Sequence, residues 1–225
     1  MKKFLLLTTV LASVVAANAT IYTTNWSSGF ANAGVVPDNN FSGWADSRNV
    51  TTMPAGTLQS VAVNLQLTGG WNGDLYAYLV HDSGFTVLLD RIGSGPFGDS
   101  HAGMNVTFVD DGTAFGATQG DINLYAGVPN QSGLWNPDNL GMGGGSLGSF
   151  LSTSPHGTWS LFIADLSVGG VTTVQSWGLQ MDIVAVPEVE TWIAAALAGA
   201  FGAFWVNRQI WSGAGSGSGH KQLNG

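Results

Sequence analysis

Histidine, aspartate and serine stand side by side in the stretch LVHDSGFTV, residues 79–87. These side chains supply the base, the orienting acid and the nucleophile of many hydrolases, provided that they converge in space. Adjacent residues on a strand point to opposite faces, however, and Asp82-Ser83-Gly84 between apolar runs is typical of a hairpin loop. We therefore predict that His81, Asp82 and Ser83 form a strand end and a three-residue turn, not a catalytic site.

Four aspartates form the second set of residues that could do chemistry: Asp110, Asp111, Asp121 and Asp165. Carboxylate oxygens together with loop carbonyls are the hard ligands that calcium prefers. No EF-hand or nonapeptide spacing is present, and aspartate also favours loops because its carboxylate accepts hydrogen bonds from turn amides. Calcium ligands and backbone-capping carboxylates are therefore both open interpretations, and no other cofactor is expected.

A serine inside a glycine-rich stretch gives the third candidate. Gly144-Gly145-Ser146-Leu147-Gly148 matches the Gly-x-Ser-x-Gly pattern of a nucleophile elbow. That motif needs a strand before the serine and a helix after it. The flanking composition predicts neither element, so the pattern indicates a loop and the chain is not expected to be an enzyme.

Apolar and polar residues alternate along much of the chain, which is the pattern of half-buried strands. Helix is disfavoured, because glycine, serine, threonine and asparagine are abundant and no apolar period of 3.6 residues is sustained. We predict one all-β domain over residues 20–186, an antiparallel jelly roll or β-sandwich. The residues predicted to face its core are Val61, Val63, Leu65, Leu67, Leu75, Ala77, Leu79, Met104, Val106, Phe108, Trp159, Leu161, Ile163, Trp177, Leu179, Met181 and Ile183.

The composition of this domain excludes one class of partner and one kind of stabilising bond. Between Thr20 and Pro187 the chain has two arginines and twelve aspartates, which gives a formal charge of −10. Such an acidic domain repels a phosphate backbone, so no nucleic-acid partner is expected. The chain has no cysteine, so packing of the core must stabilise the domain without disulfides.

Residues 1–19 have the features of a secretory signal peptide. Lys2 and Lys3 precede an apolar run over residues 4–17, and Ala17-Asn18-Ala19 provides the small residues of a cleavage site. We predict cleavage after Ala19 and export of the remaining chain.

A second apolar segment follows the β-domain, and no charged residue occurs from Thr191 to Val206. Trp192 and Trp205 lie near its two ends, where indole rings favour a membrane interface, and Arg208 follows as a candidate cytoplasmic anchor. We predict a single C-terminal hydrophobic helix that attaches the protein to the membrane.

The same region, residues 187–211, resembles a PEP-CTERM sorting signal of bacterial exported proteins, in which Pro-Glu-Pro precedes an apolar helix and a basic end. Pro187 and Glu188 occupy the sorting motif, although Val189 replaces the second proline, and a polar tail of residues 212–225 follows. The resemblance implies processing by an exosortase-like enzyme. It also implies a Gram-negative source and a mature protein at the cell surface or in the extracellular matrix.

Two motifs within the β-domain resemble the P domain found downstream of subtilisin-like proprotein convertases. One is GDLYAYLVHDSGFTVLLDR, from Gly73, and the other is HGTWSLFIADLSVGGVTTVQSWGLQM, from His156. The matching positions are Gly73, Asp74, Leu75, Leu88, Arg91, Gly157, Thr158, Trp159, Asp165, Ser176, Trp177 and Leu179. The resemblance covers residues 36–183 and implies an accessory jelly roll that can bind structural calcium, with the peptidase residues in a separate domain.

These features predict a non-catalytic exported module that binds or builds surface structures, with surface proteins or an extracellular polysaccharide as its partners. Tyr76 and Tyr78 lie opposite the inward-facing residues of their strand, so they could stack on sugars or pack against protein. The alternative function is that of an accessory domain associated with a subtilisin-like serine peptidase, and hence with proteolysis.

Overall fold

The computed structural model describes residues 19–82, 84–93, 96–124, 131–138, 146–185 and 196–202. Residues Asn18–Val186 form one compact unit. In the second unit, made of Met1–Ala17 and Pro187–Gly225, residues 196–202 form a helix with exposed side chains. Within the described ranges, no helix combines the length and the apolar character that crossing a membrane requires.

The residues predicted to sort and anchor the protein lie outside these ranges: Pro187, Glu188, Trp192, Trp205 and Arg208. Of the predicted signal peptide, residues 1–19, the structure describes Ala19 alone. Export, sorting and membrane attachment therefore stay predictions.

The described part of the chain contains nine strands in two sheets. In chain order they are β1 (Ala19–Trp26), β2 (Asn40–Val50), β3 (Gly56–Gly69), β4 (Leu75–His81), β5 (Gly84–Asp90), β6 (Met104–Phe108), β7 (Gln131–Trp135), β8 (Gly157–Asp165) and β9 (Thr172–Ala185). The five-stranded sheet has the order β1-β9-β3-β6-β7, and the four-stranded sheet has the order β2-β8-β4-β5. The prediction of a mainly β domain built from two sheets is confirmed.

The chain alternates between the sheets from β1 to β4, and β8 and β9 then return to lie inside the two sheets. This winding is that of a jelly roll. The prediction of antiparallel sheets is confirmed for the other strand pairs of the described residues and is wrong for β6 and β7, which run parallel. More than a dozen residues separate Phe108 from Gln131, which is the length that a parallel connection needs.

The core lies between the two sheets and is built by the predicted alternation. Every residue predicted to face it is at most 2% exposed. Trp159 and Trp177 are the largest fully buried side chains, and they come from different sheets. The two P-domain-like motifs therefore contribute the largest rings of the core.

Three strands were not predicted, and one turn differs. β1, β2 and β7 carry few buried apolar residues, so their sequences lack the apolar alternation that marks β3 or β8.

The hairpin between β4 and β5 is one residue shorter than predicted, because Gly84 pairs with His81. Asp82, with φ of 48°, supplies the left-handed backbone that such a tight turn requires.

Candidate functional site

His81 ends β4 inside the domain, with no exposed surface. Its Nδ1 lies 3.1 Å from the carbonyl oxygen of Thr158, and its Nε2 lies 2.9 Å from that of Ser154. The ring is stacked on Trp159, with 4.0 Å between ring centroids and 2° between the planes. A carbonyl oxygen only accepts hydrogen bonds, so a ring nitrogen that carries a proton donates to the carbonyl oxygen that it faces.

This arrangement gives His81 no role as a general base. Neither ring nitrogen is available to take a proton from a nucleophile, since each already faces a carbonyl oxygen. Asp82 Oδ2 lies 3.4 Å from Nε2, but its side chain is 57% exposed, and Ser83 lies outside the described residues. The described residues thus show a structural histidine that joins the β4–β5 hairpin to the backbone of β8.

Ser146, the centre of the Gly-x-Ser-x-Gly match, also serves local structure. It caps the 3-10 turn Leu147–Phe150, where its hydroxyl accepts a hydrogen bond from the Gly148 amide at 2.9 Å. The same hydroxyl donates to the Asp110 carboxylate. Asp110 in turn accepts from the amides of Leu147, at 3.2 Å, and Gly148, at 2.9 Å. A single 3-10 turn follows the serine in place of the α-helix that a nucleophile elbow requires.

The other three aspartates predicted to bind calcium are likewise engaged. Asp111 accepts from the Thr118 hydroxyl at 2.6 Å, and Asp121 accepts from the Asn123 amide at 2.8 Å. Asp165 accepts from the Ser167 amide at 3.1 Å. Across the described ranges, no three histidine, aspartate or glutamate side chains are arranged to hold a metal ion. The residues do not fit a calcium site built from Asp110 and these three aspartates, and calcium binding stays a prediction of the resemblance.

Asp165 is nevertheless unusual, because this last residue of β8 is fully buried. Burial raises the pKa of its carboxyl, and the nearby carboxylates of Asp74 and Asp38 raise it further. Among the described residues, the buried Oδ2 atoms of Asp74 and Asp165 have no hydrogen-bond partner. Both aspartates belong to the P-domain-like motifs, so the motifs place two mutually repelling carboxyl groups at this end of the sandwich.

A second buried carboxylate, Asp46, was missed by the sequence interpretation. The indole Nε1 of Trp177 donates to Asp46 Oδ2 at 2.7 Å, and Arg48 Nε donates to the same oxygen at 2.6 Å. The guanidinium of Arg48 lies over the rings of Trp26 and Phe30, 5.9 Å and 5.3 Å from their centroids. Because Asp46 and Trp177 come from different sheets, this cluster joins the two layers. No local pattern could have shown it.

A third carboxylate, Asp99, anchors the loop that follows β5. It accepts from His101 Nδ1 at 2.6 Å and from the Asn72 side-chain amide at 3.1 Å. The Gly73 amide donates to the Asp99 carbonyl at 2.8 Å. A Cβ atom at Gly73 would lie 2.4 Å from the Asp99 nitrogen, so only glycine fits. The Gly-Asp-Leu motif is therefore explained by loop packing.

Aromatic rings cross the outer face of the four-stranded sheet. Tyr78 on β4 is stacked on Phe162 of β8, with centroids 4.7 Å apart and planes at 18°. Phe85 of β5 lies 5.2 Å from Tyr78 and is 41% exposed. We call Tyr78, Phe85 and Phe162 the aromatic stripe. The stacking of Tyr78 on Phe162 covers part of both ring faces, so less of each face is open for a sugar to stack on.

No family model matches this sequence, and no curated protein matches it. Among solved structures, the chain is similar to one from the complex of Aeromonas sobria serine protease (ASP) with the chaperone ORF2. That match has a TM-score of 0.45 and 15% identity, and covers 75% of this chain and 27% of that chain. A second crystal structure of Aeromonas sobria serine protease gives a TM-score of 0.42 at 15% identity, over 72% of this chain and 27% of that chain. The chain thus spans about a quarter of the length of either matched chain.

Proposed function

We propose that this chain is a non-catalytic, exported β-sandwich that acts by binding another protein, as an accessory domain of a subtilisin-like serine peptidase. The proposal rests on one observation: the side chains that could do chemistry take part in holding the fold together. His81, Asp110 and Ser146 make structural contacts with backbone or with each other, which leaves binding rather than catalysis as the role of this domain. The two P-domain-like motifs support a peptidase as the class of partner.

The aromatic stripe is the proposed contact surface. Aromatic side chains are enriched in the centres of protein interfaces, because they bury a large area at a low cost in conformational entropy. Tyr78, Phe85 and Phe162 come from three neighbouring strands of one sheet, so the backbone holds them in place before a partner arrives. A rigid aromatic surface of this kind reduces the entropy lost on binding.

The test is to mix the purified full-length chain with a subtilisin-like peptidase exported by the same cells and to measure their association. The double variant Tyr78→Ser/Phe162→Ser should lose most of the binding. Phe97→Ser is the matched control, since Phe97 is 78% exposed and lies outside the stripe. Equal binding by both variants, or a peptidase rate in the chain alone that His81→Ala abolishes, would contradict the proposal.

A second candidate function, display at the cell surface or in the matrix, is favoured by the sequence of the C-terminal region. Pro187 and Glu188 precede the apolar segment that ends before Arg208, and an exosortase-like enzyme would separate the β-domain from this segment. Surface proteins or an extracellular polysaccharide are then its partners. Mass spectrometry of the native protein tests this function: the mature chain should end near Pro187, and a secreted chain that still ends at Gly225 would contradict both sorting and membrane attachment.

A further inference from the structure

The edges of the two sheets are protected unequally. A free sheet edge exposes unpaired backbone amide and carbonyl groups, which pair readily with any extended chain. The edge of β5 is covered: the Asp138 amide donates to the Leu88 carbonyl at 3.3 Å, and the Thr86 hydroxyl donates to the Ser146 carbonyl at 2.8 Å. Within the described ranges, chain segments that belong to neither sheet therefore close this edge.

The edges of β7 and β2 are also protected. Along β7, the Gln119 amide donates to the Leu134 carbonyl at 2.8 Å. Along β2, the pairing register with β8 shifts between Asn40 and Trp44, and the strand carries the charged side chain of Arg48, which is partly exposed. Bulges and charges are two of the ways in which natural edge strands avoid pairing with other chains.

β1 has none of these protections. It pairs with β9 over all eight residues without a register shift, and ATIYTTNW contains no charge, proline or glycine. In the described part of the chain, its backbone forms hydrogen bonds with β9 but with no other segment. β-Branched and aromatic residues dominate it, and these favour an extended backbone. As far as the described residues show, the outer edge of β1 is therefore a regular, neutral and open pairing surface.

We propose that β1 is a dimerisation strand, which pairs antiparallel with β1 of a second copy of this chain and joins the two five-stranded sheets. The distribution of charge along the chain supports a second copy as the occupant. Each domain carries a formal charge of −10, yet no charged residue occurs between Phe4 and Pro37. Two such acidic domains can approach with least repulsion where both are neutral. This inference is independent of the proposed peptidase partner, which would use the other sheet.

The faces of β1 fix how two copies can pair. Residues opposite each other in an antiparallel pair point to the same face. Along β1, Tyr22 and Thr24 are half-buried, whereas Ile21 and Thr23 are exposed. A two-fold axis at Tyr22 satisfies this rule, because it places Tyr22 opposite Tyr22, and Ile21 opposite Thr23 of the other copy. Sliding one strand along the other by a single residue would instead place half-buried residues opposite exposed ones.

Cysteine cross-linking tests the pairing directly, because the chain has no cysteine of its own. Tyr22→Cys in the full-length chain should give a disulfide-linked dimer in the oxidising compartment, since opposed strand residues are close enough for a disulfide. Val168→Cys, in a loop and 73% exposed, is the control for random collision. Equal cross-linking of the two variants, or a disulfide between the Tyr22→Cys variant and a different protein, would overturn the proposal.

Double substitutions that introduce charges at Ile21 and Thr23 test the register. They should leave the fold intact, since both side chains face solvent. Ile21→Lys/Thr23→Glu places opposite charges across the proposed axis, and it should preserve or raise the dimer fraction in sedimentation velocity. Ile21→Lys/Thr23→Lys places like charges there and should lower it several-fold. Non-specific charge effects predict the reverse, because two added lysines reduce the repulsion between acidic domains. More dimer with the Lys/Lys variant than with the Lys/Glu variant would therefore overturn the proposed pairing.

Discussion

The two faces of the four-stranded sheet both carry stacked aromatic rings, but the surroundings of those rings differ. On the inner face, Trp159 is fully buried and stacks on His81, whose ring nitrogens meet backbone carbonyls. On the outer face, Tyr78 stacks on Phe162 beside the exposed ring of Phe85. The inner stack is thus part of the core, and the outer stack remains available to a partner. Residue type alone does not reveal this difference, whereas position within the strand alternation does.

The largest effect expected from this comparison is the loss of the inner ring. Trp159→Ala should lower the free energy of unfolding by about 3–5 kcal/mol, the range for deleting a large buried aromatic side chain. Urea denaturation measures this directly, and Phe162→Ala on the outer face is the matched control, with a smaller loss expected. Similar losses for the two variants would show that the faces do not differ as described.

Removing the stacked histidine should have the next largest effect. His81→Ala leaves the Thr158 and Ser154 carbonyls without their side-chain partner, and an unpaired buried polar group costs about 1–3 kcal/mol. The melting temperature of this variant should therefore fall clearly below that of Phe97→Ala, whose ring is 78% exposed. Unchanged stability in His81→Ala would remove the structural role assigned to this residue.

The sequence predicted the inner face well, because the strands that line it carry strict apolar alternation. That pattern alone assigns Trp159, Leu161 and Ile163 to the core, where the structure buries them. The turn signal at Asp82 predicts the hairpin that joins β4 to β5. β1 could not be identified in this way, because an edge strand buries little and needs no apolar face. The hydrogen bond between Trp177 and Asp46 was equally inaccessible, since 131 residues separate its partners and only the folded topology brings them together.

The buried end of β8 adds a pH-dependent effect of intermediate size. Burial and the carboxylates of Asp74 and Asp38 raise the pKa of Asp165, so the folded protein holds this proton more tightly than the unfolded chain does. Stability from this group is then greatest below the ordinary aspartate pKa, and it is lost as pH rises through the raised value. Asp165→Asn should remove this loss, so the variant should gain stability relative to the wild type as the pH rises to neutral. Asp82→Asn, at an exposed turn, is the control. Parallel pH profiles of wild type and Asp165→Asn would contradict the assignment.

The smallest effect on stability is expected at the exposed ring of the outer face, where the comparison becomes most informative about function. Phe85→Ser removes a ring that is 41% exposed, and substitutions at such positions change the free energy of unfolding by about 0.5 kcal/mol or little more. The same substitution removes one third of the aromatic stripe, so association with the peptidase partner should weaken while the melting temperature hardly moves. Phe41→Ser, at a ring that is 74% exposed on β2, controls for the loss of any surface aromatic.

A large fall in melting temperature for Phe85→Ser would show that the outer rings stabilise the sheet in the way the inner ones do. Weakened binding at unchanged stability would instead separate the two faces into one that maintains the fold and one that contacts a partner.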